Sequence, residues 1–219
     1  MIDYRLIRSE RRTLSIQIDR EGALVVHAPK HMSIQQIEQF IEQKRRWIEE
    51  KQKAARKAME QRPELESGAV LPFWGDDIRI EFYGGKKAVL HEGVLWLPAD
   101  GKTAQHARKW RLQQAAQLLA PRVDYWAKVT GLTPSRIACG SAKARWGSMN
   151  AVTRSLRLNA ALIHCPQDIV DYVIVHELVH IIHPNHSPAF HAAVRGFLPG
   201  ADQKRKALRQ YAAFLRLWE

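Results

Sequence analysis

Between Val173 and His191 the chain reads VIVHELVHIIHPNHSPAFH, with histidines at 176, 180, 183, 186 and 191 and one glutamate, Glu177. His176, Glu177 and His180 form an H-E-x-x-H pattern within a run of apolar residues. On a helix, residues four apart share a face and lie about 6 Å apart along the axis. Two imidazoles so placed can converge on one ion with Zn–N bonds of about 2.1 Å, filling two corners of a tetrahedron. Glu177 sits about 100° round the helix from His176, which suits it poorly as a third ligand from that face. From there it can reach a water held by the metal, as a general base must. A glutamate buried between two histidines is costly unless it is paired or linked to a metal.

A catalytic zinc takes three protein ligands and leaves one position for water. The only acidic residue between Glu177 and Glu219 is Asp202, so the third ligand is sought among His183, His186 and His191. His183 would continue the helical face about 10 Å beyond His176, an awkward reach for an ion between His176 and His180. His186 follows Pro184, where the chain must leave the helix and can turn back. It also reproduces the histidine spacings of the metzincin motif, with His183 at that motif's glycine. His186 is therefore the favoured ligand, His183 the alternative, and His191 is expected on a helix surface nearby. Zinc is the expected ion, and other divalent transition metals suit the same donors.

Upstream, Arg145 and Trp146 precede Gly147 and Ser148, with Lys143 close by. Arg145 could hold an anionic group and Trp146 could stack on a substrate. Equally, Arg145 could be a surface cation and Trp146 a core residue. Cys165 has no base placed beside it by pattern and is read as a small buried residue.

These side chains need elements to position them. Gln167 to about His183 is helical by pattern and starts just after Pro166; Pro184 ends it. Ser187-Pro188 caps and starts a short helix, and Ala201 to about Trp218 forms a last one. Strands are expected near Arg136–Cys139 and Ser155–Leu158, with Gly140 and Gly147 in the loop between them. Residues 103–129 are rich in alanine and leucine and helical, with Pro121 a break or kink. DIRIEFYGGKKAVLHEGVLWLP gives three short strands turning at Gly84-Gly85 and Glu92-Gly93. At the N-terminus, RRTLSIQIDREGALVVHAP reads as a hairpin turning at Arg20-Glu21-Gly22. Ser33 caps a helix carrying Ile34, Ile37, Phe40, Ile41, Trp47 and Ile48, whose tail, KRRWIEEKQKAARKAMEQR, reads as a solvated face of i,i+4 charge pairs. The division expected is 1–100, β-rich with a long charged helix, and 101–219, carrying the metal site; the class is α+β.

With 46% hydrophobic residues and seven tryptophans among 219 residues, the chain is globular rather than disordered. Two cysteines are too few for a disulfide framework, no secretory signal is evident, and no apolar run is long enough to span a bilayer, so a cytoplasmic protein is expected. A net charge of +12 favours anionic partners, nucleic acid among them, although no nucleic-acid-binding motif supports that.

Four segments, ARWGSMN, LRLNAALIHCPQDIVDYVIVHELVHIIHPNHSPAF, RSERRTLSIQI and KRRWIEE, together resemble the YgjP-like metal-dependent hydrolases. These are zincin metallopeptidases related to the SprT and WLM groups, and the resemblance spans essentially the whole chain. Met149 stands where that family usually has cysteine, and His191 where it usually has tryptophan. The resemblance implies a zincin-like C-terminal domain, a small sheet packed on the H-E-x-x-H helix, with zinc on His176, His180 and His186 and Glu177 as base. A metallopeptidase acting on peptides is the leading expectation. A metal-dependent nucleotide pyrophosphatase acting on an anionic small molecule is the second, though the chain lacks a phosphate-binding loop. A nucleic-acid-associated protease or binding protein is the third.

Overall fold

A computed structural model describes residues 2–19, 22–60 and 65–218. The chain forms two compact units, Met1–Arg62 and Pro63–Glu219. The division falls well before residue 100, because strands at residues 70–98 share one core with the helices that follow. Leu71, Ile80, Leu95 and Leu97 are buried in the same cluster as Trp110, Leu119, Val173 and Leu178.

In the first unit, β1 (Tyr4–Ser9), β2 (Ser15–Ile18) and β3 (Leu24–Pro29) form a sheet of order β1-β3-β2. The expected β2–β3 hairpin is present, with antiparallel pairing from Ser15↔His27 to Ile18↔Leu24, while Arg20 and Glu21 of its turn lie outside the described residues. The hydrophobic pattern did not reveal β1, which pairs parallel with β3 through a non-local contact. Ser33 caps α1 (Ile34–Gln43) through a reciprocal capping box with Gln36. Instead of one continuous helix, the chain breaks at Lys44 and resumes as α2 (Arg45–Glu60). Ile37, Ile41 and Ile48 are buried on the sheet side, whereas Ile34 and Trp47 are exposed. Ion pairs Arg45–Glu42, Arg45–Glu49 and Arg46–Glu50 line the solvated face, as the charge pattern predicts.

In the second unit, β4 (Val70–Phe73), β5 (Asp76–Tyr83), β6 (Val89–His91) and β7 (Val94–Pro98) form a sheet of order β4-β5-β7-β6. The 28-residue α3 (Thr103–Thr130) runs through Pro121 without ending there. Its buried stripe, including Trp110, Ala115, Leu119, Val123 and Trp126, holds it to the core on both sides of the proline. A third sheet has the order β8-β10-β9, from β8 (Arg136–Gly140), β9 (Gly147–Asn150) and β10 (Ser155–Asn159). Here β9 is an unexpected strand: its GSMN sequence carries no alternation, and pairing with β10 creates it.

A 3-10 turn, Ala160–His164, leads into α4 (Gln167–Val179), which carries the first two motif residues. This helix is buried nearly all round, from Ile169 to Val175 and at Leu178 and Val179, which fits a helix apolar on every face. It stops at Val179, with His180 as its C-cap, rather than continuing to about His183. Single turns then carry the chain to Pro184. As expected, Ser187 caps α5 (Pro188–Phe197), with Pro188 in the first turn. The C-terminal segment begins as α6 (Ala201–Ala207) and then tightens into a 3-10 helix over Leu208–Arg216 instead of remaining α-helical. The class is α+β, and among the described residues no helix is long and apolar enough to cross a membrane.

Candidate metal centre

The last turn of α4 presents His176 and Glu177, its C-cap supplies His180, and the loop leading to α5 returns His186 to the same place. One ring nitrogen from each of the three histidines lies within 4.8 Å of the other two. The Nε2 atoms of His176 and His186 are 3.0 Å apart. The nitrogens of a tetrahedral zinc with bonds of about 2.1 Å stand about 3.4 Å apart, so the His176–His186 spacing is near what such an ion needs and the third nitrogen is within reach of a small adjustment. His183 is not in the cluster. Its carbonyl accepts a hydrogen bond from His180 Nδ1–H at 3.0 Å, which leaves the Nε2 lone pair of His180 turned inward. The early end of α4 makes this possible, because it turns the His183 carbonyl back over the ring.

Two residues not anticipated from sequence hold the triad. Phe190 on α5 is fully buried, and its ring centroid lies 4.8, 4.6 and 4.8 Å from those of His176, His180 and His186. One aromatic ring thus meets all three imidazoles, stacked on His180 and in edge contacts with His176 and His186. Tyr172, one turn before His176, places its hydroxyl 3.4 Å from His176 Nδ1. The i,i+4 spacing of Tyr172 and His176 was a visible clue. The placement of Phe190 was not, since it depends on how α5 docks. His191 sits half-buried beside His186, ring centroids 6.2 Å apart.

Glu177 is buried and receives a hydrogen bond from the Met149 backbone N–H on β9. Gly147, on the same strand, leaves it room: a Cβ there would meet Glu177 Cγ at 2.7 Å and Oε1 at 2.8 Å. Burial pushes the Glu177 carboxyl up to about 7, against the opposing pull of the Met149 N–H and the Arg145 charge. Burial, reinforced by His180 and His186, drives His176 down to about 3. Burial also lowers His186, with His180 and His191 adding to the effect. Neutral imidazoles are the ligand form of histidine, and a donor set of three of them suits zinc or a neighbouring transition metal.

All three histidines and Glu177 line a cavity of about 600 Å³, together with Arg145, Trp146, Tyr172 and the β9 backbone. Arg145 is exposed, while Trp146 is half-buried and packs on the core margin, and both line the cavity. Cys165 is buried and free, and burial pushes its thiol well above the ordinary thiol range, so the thiolate is inaccessible near neutrality.

A protein-family model described as YgjP-like, metallopeptidase domain, matches residues 12–211, which puts the protein in the class of metal-dependent hydrolases. The chain belongs to this YgjP-like family. Two solved structures are similar to part of it. The metallopeptidase zymogen abylysin of Pyrococcus abyssi is 16% identical, with 42% of this chain and 93% of that chain covered at a TM-score of 0.39. The metallopeptidase zymogen jannalysin of Methanocaldococcus jannaschii is 22% identical, with 42% and 94% covered at a TM-score of 0.38. The comparison with curated proteins found no match.

Proposed function

We propose that the protein is a zinc-dependent peptidase with His176, His180 and His186 as ligands and Glu177 as general base. The observation that carries this is the convergence of three imidazole nitrogens beside a buried carboxylate on one open cavity. On this reading the second unit has a zincin-like arrangement, with α4 beneath the cleft and β9 and β10 packed against it.

Zinc, when bound, would lower the pKa of a water and polarise the scissile carbonyl. Glu177 supplies the proton transfers: a carboxylate oxygen takes a proton from the attacking water and then gives it to the leaving amine nitrogen. The Met149 N–H and the gap above Gly147 hold that carboxylate at the cavity wall. Strand β10, which carries Leu156 and Leu158, is central in its sheet and offers an extended peptide no free edge. The edge beside the triad is β9, which lines the cavity and can receive the substrate backbone instead.

The test combines elemental analysis with proteolysis by wild type and Glu177→Gln. One zinc per chain in both proteins is expected, with a loss of at least about 10²-fold in peptide cleavage by the variant. Equal cleavage by the two proteins removes Glu177 from the mechanism.

A further inference from the structure

Next to the triad's cavity is a second cavity of about 460 Å³, lined by Ser141, Arg145, Ser148, Arg157 and Asn159 among others. Arg145, Gly147 and Ser148 line both, so the two spaces adjoin along one wall. The second wall carries two guanidinium groups and two hydroxyls, with no aspartate or glutamate. Among the described residues neither arginine forms a salt bridge.

The cationic groups are built into fixed backbone. Arg157 projects from the central strand β10, where its register partner is Ser148 on β9. Its Nη1 passes 3.7 Å from the position a Cβ on Gly140 would take, so it lies across that glycine on β8. Arg145 sits on a loop anchored by Asn159, which is only 2% exposed. Asn159 Nδ2–H donates to Ala142 O at 2.6 Å and Arg145 O at 2.9 Å, and its backbone N–H donates to Trp146 O at 2.8 Å. The backbone that carries them is held in place, and the two exposed guanidiniums present planar, charge-assisted donors to the cavity.

We propose that this cavity is a carboxylate-binding subsite, and that the enzyme selects peptides with an acidic side chain or a free C-terminal carboxylate near the scissile bond. The proposal rests on the peptidase reading above. A carboxylate is the anion that an unmodified peptide carries, and the shared wall lets it occupy the second cavity while the scissile bond faces the triad.

The experiment uses three peptides of one length: an amidated peptide with an internal glutamine, the same peptide with glutamate at that position, and the glutamine peptide with a free C-terminus. Wild type is expected to cleave one of the two carboxylate-bearing peptides with kcat/KM about tenfold above the neutral one, and the preferred peptide identifies the carboxylate's source. Arg157→Gln reduces that ratio to near one, and Arg157→Lys retains part of it. A ratio near one in wild type, or one unchanged in Arg157→Gln, overturns the proposal. Calorimetric binding of the same peptides to Glu177→Gln and to Glu177→Gln/Arg157→Gln provides a readout independent of turnover. If wild type cleaves none of the peptides, the peptidase reading fails; carboxylate-selective binding that depends on Arg157 then still supports the subsite, and equal binding of all three peptides overturns it.

Discussion

Gly147 and Glu177 are packed so closely that no larger residue than glycine fits at position 147 without moving the carboxylate. The Cβ of an alanine would fall within 2.7 to 2.9 Å of Glu177 Cγ, Oε1 and Cδ. The same strand supplies the Met149 N–H that holds the carboxylate, so β9 positions Glu177 both by leaving space and by donating a hydrogen bond.

Gly147→Ala is therefore expected to lower kcat/KM about 10- to 100-fold while leaving bound metal near one equivalent, because it displaces the carboxylate proposed as the base and not the histidines. Steady-state kinetics alongside elemental analysis check this. Wild-type turnover in the alanine variant would show that the close packing has no part in catalysis.

Phe190 meets all three imidazoles, so its truncation should be felt at the metal as well as in the core. Phe190→Leu is expected to weaken zinc binding about tenfold, the usual effect of losing a residue that orients ligands. Phe190→Ala adds a fold destabilisation of about 3 kcal/mol or more from the cavity it leaves. Zinc competition titrations and urea unfolding measure the two separately. Unchanged zinc affinity in Phe190→Leu would reduce the ring to a core residue.

Asp171 on α4 accepts two hydrogen bonds from Arg122 on α3, at 2.9 and 2.5 Å, and joins the motif helix to the long helix. Asp171 is buried and the Arg122 side chain is 29% exposed. Asp171→Ala leaves that guanidinium without its partner and is expected to cost about 2 kcal/mol. The double variant Arg122→Met/Asp171→Leu recovers much of this, since it buries no unpaired charge. Denaturant midpoints with unchanged m-values are the check, and a double variant less stable than Asp171→Ala contradicts the account.

His164 is fully buried between Phe214 and Trp218 and donates its Nδ1–H to Pro72 O at 2.8 Å. Burial chiefly, with the Arg111 charge also acting to lower it, depresses the imidazole from 6.5 to about 4. The unfolded chain binds this proton more readily than the folded protein does. The stabilising contribution is therefore present above pH 6.5 and is lost as pH falls towards about 4. Within that window it changes stability by about 1.4 kcal/mol per pH unit. His164→Asn preserves a donor for Pro72 O without a titrating group, so its stability should fall less steeply with acid than that of wild type. Parallel stability–pH curves for the two proteins would exclude His164 as the source.

Sequence alone determined the pair His176 and His180, the glutamate between them and the return of His186 after Pro184. Helical period, a proline stop and the scarcity of downstream acids are all local facts, readable without a fold. The capped starts of α1 and α5 and the charge-laced face of α2 were legible for the same reason. What only the tertiary structure decided depends on contacts between residues far apart in the chain. Strands β1 and β9 exist through their pairing, and α3 continues past Pro121 because its buried stripe is held to the core on either side. The first unit ends near residue 62 because the 70–98 sheet shares a core with α3 and α4. At the site, the fold ends α4 at Val179, which turns His183 from a candidate ligand into the carbonyl that orients His180. It also sets Phe190 behind the triad and brings Gly147, Arg145 and Arg157 to the cavity walls. Spacing can nominate metal ligands, because one helix turn holds them together. The surroundings that orient those ligands come from other elements, and only packing brings those elements to the site.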